Sequence, residues 1–192
     1  MKVEETAFPY AAHKTKLSYQ DYQNLPEDGN RYELINGELI MVAAPLTIHQ
    51  IVSANIFFEL QTYAKKTKSG IVLTSPIDVV LSEHNILQPD IIFITNERKS
   101  IITEKNIQGA PDLVIEILSP SSFYYDWFDK KELYEQHGVM EYWIVDPLRY
   151  WVETYQRKKN KFEKFQRKDK TGNLISSVLS DFSITLEKMF SA

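Results

Sequence analysis

The sequence contains no cysteine among its 192 residues. This absence excludes disulfide bonds, a cysteine nucleophile, and zinc or iron–sulfur sites bound by thiolates, and it fits a reducing cytoplasm. The N-terminal residues lack the apolar core of a signal peptide. No apolar run reaches the roughly 18 residues that a membrane-spanning helix needs. We therefore expect a soluble, cytoplasmic protein.

Internal repeats, low-complexity tracts and interdomain linkers are also missing from the sequence. The chain is 43% hydrophobic and 12% aromatic, which is enough to form one substantial core. We expect residues 1–16 to form a loose arm and residues 17–192 to form a single domain.

Positive charge is scarce overall, because the formal net charge is −4, which argues against a protein that coats DNA. It is nevertheless concentrated in residues 156–170, which hold eight Lys and Arg against two acids. Lys158, Lys159 and Lys161 in this stretch are candidates for binding nucleic-acid phosphates beside an acidic site. A solvated hairpin tip is the alternative interpretation.

Apolar patterning predicts an α/β protein of the α+β type, with helices on both faces of a mixed sheet. Asn36-Gly37 predicts an N-terminal hairpin between strands 31–35 and 38–42, and helical spacing of apolar residues predicts a long helix over 48–66. The other predicted strands are 71–74, 76–81, 91–95, 113–118 and 140–145, with a terminal hairpin at 151–155 and 162–165. The other predicted helices are 17–25, 122–137 and 186–190.

Glu116 interrupts the apolar strand 113–118. Burying a carboxylate is costly unless its charge is compensated, and a bound metal ion is one form of compensation. Asp90 begins the preceding apolar strand. If these two strands are neighbours, the two carboxylates are able to hold Mg²⁺ for phosphodiester hydrolysis.

A lysine in the following helix is the third candidate. Asp126, Lys130 and Tyr134 are four residues apart and share one helix face, and a lysine is able to orient a water and neutralise developing charge. An ordinary surface Asp–Lys pair is the alternative. Glu33 and His49 are supporting candidates, for which the alternatives are a solvent-facing glutamate and a structural histidine.

Several motifs in this sequence resemble those of a known family. The strongest is PDLVIEILSPS at 111–121, followed by D-x-x-x-K-x-x-x-Y-x-x-x-G-V-x-E-Y-W-I-V-D-P at 126–147. YELINGEL at 32–39, His49, DVVL at 78–81 and QPDIIFI at 88–94 agree with it. Together they resemble the Uma2 family of restriction endonucleases, also known as DUF820, over roughly residues 17–190.

The resemblance implies a PD-(D/E)XK, restriction-endonuclease-like fold and a magnesium-dependent DNA endonuclease in which Mn²⁺ is able to replace Mg²⁺. It assigns Asp90 and Glu116 as the two acids, with the carbonyl of Ile117 completing the metal ligands. The usual lysine position is occupied by Leu118, and the resemblance assigns its role to Lys130. By analogy, we also expect a homodimer.

One segment departs from the family pattern. Relatives often carry arginines before the helix aspartate, whereas Phe123, Tyr124, Tyr125, Trp127 and Phe128 stand in this region of the chain. These aromatic residues are able to stack on unpaired bases, but we expect them to form a packing or dimer surface.

Two other functions fit parts of the sequence. Because a fold does not imply an activity, the first is a non-catalytic module that keeps the fold and binds nucleic acid or another partner. The second is a glycosidase with paired carboxylates, against which the helix lysine argues.

Overall fold

The computed structural model describes residues 16–119 and 125–191, without the side chains of Tyr125 and Asp126. The arm expected at 1–16 lies outside the described residues except for Lys16, as do residues 122–124 of the predicted helix. The strands are β1 (Arg31–Ile35), β2 (Glu38–Val42), β3 (Gly70–Thr74), β4 (Val79–Ser82), β5 (Asn85–Leu87), β6 (Ile91–Thr95), β7 (Ile107–Gln108), β8 (Leu113–Ile117), β9 (Glu141–Asp146), β10 (Trp151–Lys158), β11 (Lys161–Asp169), β12 (Asn173–Ile175) and β13 (Ser183–Thr185). The helices are α1 (Tyr19–Gln23), α2 (Thr47–Thr67), α3 (Lys131–His137) and α4 (Leu186–Phe190), with a 3-10 turn at Asn96–Ile101 and a π-helical turn at Tyr125–Lys130.

A mixed sheet lies at the centre of the described part of the chain, in the order β11-β10-β9-β8-β6-β3. Its β8–β9 pair is parallel and its other pairs are antiparallel. A second sheet has the order β2-β1-β5-β4-β7, and β12 pairs with β13. The predicted mixed sheet is therefore confirmed, and the N-terminal hairpin belongs to the second sheet rather than to the central one.

Helices cover both faces of the central sheet, as the sequence predicts. On one face, α2 presents the apolar residues Val52, Ile56 and Leu60, which recur every four positions. They pack against Ile115 of β8 and Trp143 of β9. On the other face, the residues of α3 that face the sheet, Leu133 and Tyr134, pack with Val114, Tyr142 and Ile144. The side chains of a strand alternate between faces, so each strand contributes to both cores.

The N-terminal hairpin turns where the sequence predicts it. Asn36 and Gly37 both adopt positive φ angles, of 54° and 82°, which a two-residue hairpin turn of this kind requires. Arg31 pairs with Val42, and Glu33 pairs with Ile40. Strand alternation therefore puts these four side chains on one face of the hairpin.

Some predicted boundaries are wrong. The strand predicted at 76–81 begins at Val79, and residues 85–87, for which no strand is predicted, form β5. The helix predicted at 122–137 contains the π-helical turn before α3 begins at Lys131. Apolar spacing does not distinguish a π-helical turn from an α-helix, because the extra residue changes the pitch only locally. No helix of the described residues is both long and apolar enough to cross a membrane.

Candidate active site

The two candidate acids lie opposite each other on neighbouring strands. Ile91 of β6 pairs with Ile115 of antiparallel β8, so Asp90 and Glu116 follow as the next opposed positions. Ile92 and Val114 pack in the core on the α3 side, and the alternation of side chains puts Glu116 on that side. Asp90 directly precedes β6, and its carboxylate contacts His49 of α2. The sequence required β6 and β8 to be neighbours, and that requirement is met.

Asp90 is held through one of its carboxylate oxygens. The backbone N–H of Ile117 donates a hydrogen bond of 2.7 Å to Asp90 Oδ2, and His49 Nε2 lies 3.1 Å from the same oxygen. No described residue forms a hydrogen bond to Asp90 Oδ1. His49 lies in the first turn of α2, is buried, and orients a carboxylate rather than facing solvent.

Glu116 is held by two residues of the next helical segment. Tyr134 donates a hydrogen bond of 2.7 Å to Glu116 Oε1, and Lys130 Nζ donates one of 3.3 Å to the same oxygen. Burial raises the pKa of Tyr134 well above its usual range, and the negative charge of Glu116 raises it further. The tyrosine therefore keeps its proton and acts as a donor to the carboxylate.

Lys130 joins two carboxylates that are distant in the sequence. Its Nζ lies 2.9 Å from Glu33 Oε1 and 3.3 Å from Glu116 Oε1, and all three side chains are almost fully buried, at 4–6% exposure for Glu33 and Lys130 and 3% for Glu116. Lys130 is therefore not a surface lysine, and a solvent-facing Glu33 is wrong as an interpretation. Lys130 ends the π-helical turn, a form of helix often found at functional sites. The side chain of Asp126 lies outside the described residues.

The three acids, His49 and Lys130 line one cavity of about 540 Å³. Its acidic part contains Glu33, Asp90 and Glu116, together with Lys130 and His49. The opposite walls come from the β1–β2 hairpin and from the first turns of α2. The cavity thus joins the site residues predicted on strands with parts of the chain that the sequence places far away.

The donor atoms at the cavity floor suit a hard cation. Residues 16–119 and 125–191 contain no group of three or more His, Asp or Glu side chains arranged to hold a metal ion. Mg²⁺ needs no such group, because it is commonly bound by one or two carboxylates while waters and substrate phosphates complete its octahedron. Asp90 and Glu116 supply such a pair of carboxylates, and Ile117 also lines the cavity.

The candidate nucleic-acid-binding lysines are not brought to this cavity. Along the sheet, Glu116 is in register with Ile144 and Glu153, whereas Lys158 pairs with Lys161 beyond the opposite end of β8. Lys158 forms an ion pair with Glu163, and Lys161 forms one with Glu135. Lys159 lies in the turn between β10 and β11. This placement does not support the idea that the basic stretch delivers phosphates beside the acids.

Arg31 and Gln88 are among the cavity residues that the sequence did not predict. The backbone N–H of Gln88 donates a hydrogen bond of 2.7 Å to Glu33 Oε1, which holds that carboxylate against Lys130. Arg31 lies two residues before Glu33 on the same strand face. The spacing of Arg31 and Glu33 was visible in the sequence, but it became informative only once Glu33 proved to face the cavity.

The aromatic segment lies partly outside the described residues, which exclude Phe123, Tyr124 and the side chain of Tyr125. Trp127 packs edge-to-face on Trp151, with ring centroids 5.4 Å apart. Phe128 is exposed. For Trp127, the expected packing role agrees with its position.

The sequence and the fold of this chain were both compared with those of known proteins. Residues 19–187 match the model of the Uma2 family, which is described as "Putative restriction endonuclease". Among curated proteins there is no match. The crystal structure of a "putative nuclease belonging to DUF820" from Anabaena variabilis is similar, with a TM-score of 0.75 and 22% sequence identity. The similarity covers 91% of this chain and 98% of that one, and it confirms the predicted fold.

Proposed function

Because this chain belongs to the Uma2 family, we propose that it is a metal-dependent endonuclease that hydrolyses phosphodiester bonds in DNA. One observation carries the proposal. Asp90 and Glu116 face each other across neighbouring strands at the floor of an open cavity, with the buried ammonium of Lys130 against Glu116. The family description supports a nuclease, and the choice of DNA and Mg²⁺ is part of our proposal.

Asp90, Glu116 and the carbonyl of Ile117 would hold the cation. When bound, Mg²⁺ or Mn²⁺ neutralises phosphate charge and lowers the pKa of a coordinated water. Around these ligands, His49 and the Ile117 N–H fix Asp90, and Tyr134 fixes Glu116. Such contacts orient ligands and are important for metal affinity.

In this proposal, Lys130 is the catalytic cation. Its ammonium orients the attacking water and stabilises the negative charge that develops on the phosphate. Glu33 holds the ammonium from the other side, at 2.9 Å. We propose a supporting role for Asp126 as well, one turn before Lys130. Homodimerisation and phosphate binding by Lys158, Lys159 and Lys161 stay predictions.

Cleavage of supercoiled plasmid DNA tests this function. We expect nicking with Mg²⁺ or Mn²⁺ that stops when EDTA is added. Asp90→Asn, Glu116→Gln and Lys130→Met should each lower the rate at least about 100-fold, a typical effect of removing one group that stabilises the transition state. Glu97→Gln removes the same charge from an exposed site in the 3-10 turn and should cleave normally. Wild-type cleavage by Glu116→Gln would contradict the proposal.

The ion pairs of Lys130 favour a second candidate, a non-catalytic module that retains the fold and binds nucleic acid or another partner. The ammonium forms ion pairs with both Glu33 and Glu116, so a cation of the protein itself already lies between these carboxylates. Such a module would retain DNA without cleaving it, and isothermal titration calorimetry would detect no binding of Mg²⁺ or Mn²⁺.

A further inference from the structure

The cavity above the acids has a largely apolar wall that metal binding does not require. Its apolar lining residues come from the hairpin, from α2 and from the β3–β4 connection, and they include Ile40, Val42, Ala43, Pro45, Phe57 and Pro76. A phosphodiester group has no use for such a wall, because its oxygens are charged. Nucleobases and sugars, in contrast, present the apolar faces that this wall suits.

Arg31 lies at the rim between this apolar wall and the acids. It is on the same face of β1 as Glu33, with Cα atoms about 7 Å apart by strand geometry, and its guanidinium donates a hydrogen bond of 3.1 Å to Ser75 Oγ. No described carboxylate lies within ion-pair distance of it. An arginine whose partner is a neutral hydroxyl keeps donors for a phosphate, which a guanidinium binds in a bidentate manner.

The size of the cavity limits what it admits. A volume of about 540 Å³ is within the range of sites that enclose one small molecule. A base that is paired and stacked in a duplex does not present its faces to a protein wall, whereas an unpaired base does. The cavity therefore suits one nucleotide of a single strand better than a segment of duplex.

We propose that this cavity binds one unpaired nucleotide of single-stranded DNA, with a phosphate against Arg31 and its base against the apolar wall. The inference rests on the proposed nuclease function and names the substrate class of that site. With the nucleotide seated in this way, the adjoining phosphodiester lies over Asp90 and Glu116, and Arg31 is the residue that selects the phosphate position.

Fluorescence anisotropy with a 5′-labelled single-stranded oligonucleotide of about a dozen nucleotides, in Ca²⁺ in place of Mg²⁺, tests the phosphate contact. We expect the wild type to bind this strand more tightly than the matching blunt duplex. Arg31→Met should raise the single-strand Kd about tenfold and lower the slope of log K against log salt by about 0.7, the value for one phosphate contact on a single strand. Arg31→Lys, which keeps the charge, should retain part of the affinity.

A matched control separates this contact from general electrostatics. Lys99→Met removes one positive charge from an exposed position in the turn that follows β6, at the opposite end of that strand from Asp90. It should leave both the Kd and the salt slope unchanged.

A second pair of variants tests the apolar wall. Ala54 is exposed on α2 and lines the cavity, so Ala54→Trp fills the space without disturbing the core. We expect it to abolish single-strand binding while the melting temperature is maintained. Phe58→Trp introduces tryptophan at an exposed position of the same helix outside the cavity and should bind as the wild type does.

The outcomes distinguish this inference from the function on which it rests. If the wild type cleaves DNA but Arg31→Met and Ala54→Trp bind single strands normally, the inference is overturned and the nuclease function stands. If single-strand binding depends on Arg31 and Ala54 but no DNA is cleaved with Mg²⁺ or Mn²⁺, the inference stands and the nuclease function fails. Equal affinity of the wild type for duplex and single strand also overturns the inference.

Discussion

Replacing Lys130 with methionine removes the ammonium between Glu33 and Glu116 and nearly preserves the length of the side chain. Both carboxylates are buried, and both lie within about 3.3 Å of the lysine nitrogen. Their bonded oxygens are therefore no more than about 6 Å apart. Without the cation, the variant buries two like charges that had shared one partner.

The size of the effect follows from this geometry. Removing one member of a buried ion pair costs about 3–5 kcal/mol because the other charge is left uncompensated. Repulsion between two unit charges about 6 Å apart is about 3 kcal/mol at an effective dielectric constant of about 20, which is of the same order. For a domain of this size, the loss corresponds to a fall in Tm on the order of 10 °C.

Urea denaturation followed by tryptophan fluorescence measures the loss. At about pH 8 we expect Lys130→Met to lose about 3–5 kcal/mol of unfolding free energy. The double variant Lys130→Met/Glu33→Gln leaves one charge and should regain much of the loss.

A control and two contrary results define the test. Lys99→Met, at an exposed position, should change the free energy by less than about 0.5 kcal/mol. A loss below about 1 kcal/mol in Lys130→Met, the range of exposed pairs, would refute the buried ion-pair arrangement. A loss that the double variant Lys130→Met/Glu33→Gln does not regain would refute the electrostatic cause.

Three further predictions concern Tyr134 and two residues elsewhere in the central sheet. Tyr134→Phe removes a buried donor to Glu116 and should cost about 1–3 kcal/mol in urea denaturation. Burial raises the pKa of Glu153, but hydrogen bonds from neighbouring lysine, tyrosine and arginine side chains outweigh it, so the pKa is lowered overall. Glu153 therefore contributes stability above its usual pKa that is lost as pH falls through the lowered value, and Glu153→Gln should flatten this acid limb in a plot of Tm against pH. Gly70→Ala should cost about 1–3 kcal/mol by thermal or urea unfolding, because the added Cβ would collide with the main-chain oxygen of Ile94.

Local patterns were sufficient for much of the fold. Asn36-Gly37 predicts the first turn, because only a few residues tolerate its positive φ angles. Apolar residues every three or four positions predict α2 almost to its ends. Asp90 and Glu116 could be named because each interrupts or begins an apolar strand, where a carboxylate requires an explanation.

The rest depended on contacts between distant parts of the chain. Nothing in the spacing of residues links Glu33 to Lys130, since β1 reaches the site through a second sheet that includes the unpredicted strand β5. Asn85 favours turns, and tertiary pairing overrides that preference. The sequence does not predict Arg31 as a site residue, because an arginine in a strand is ordinarily a solvated surface residue.

A crystal soaked in manganese tests the central claim most directly. We predict one anomalous peak between the carboxylates of Asp90 and Glu116, at about 2.1 Å from an oxygen of each, with the other ligands from the Ile117 carbonyl and water. Lys130 should remain beside Glu116. A manganese-saturated crystal with no peak between these carboxylates, or with its peak elsewhere in the chain, would contradict the metal-dependent site.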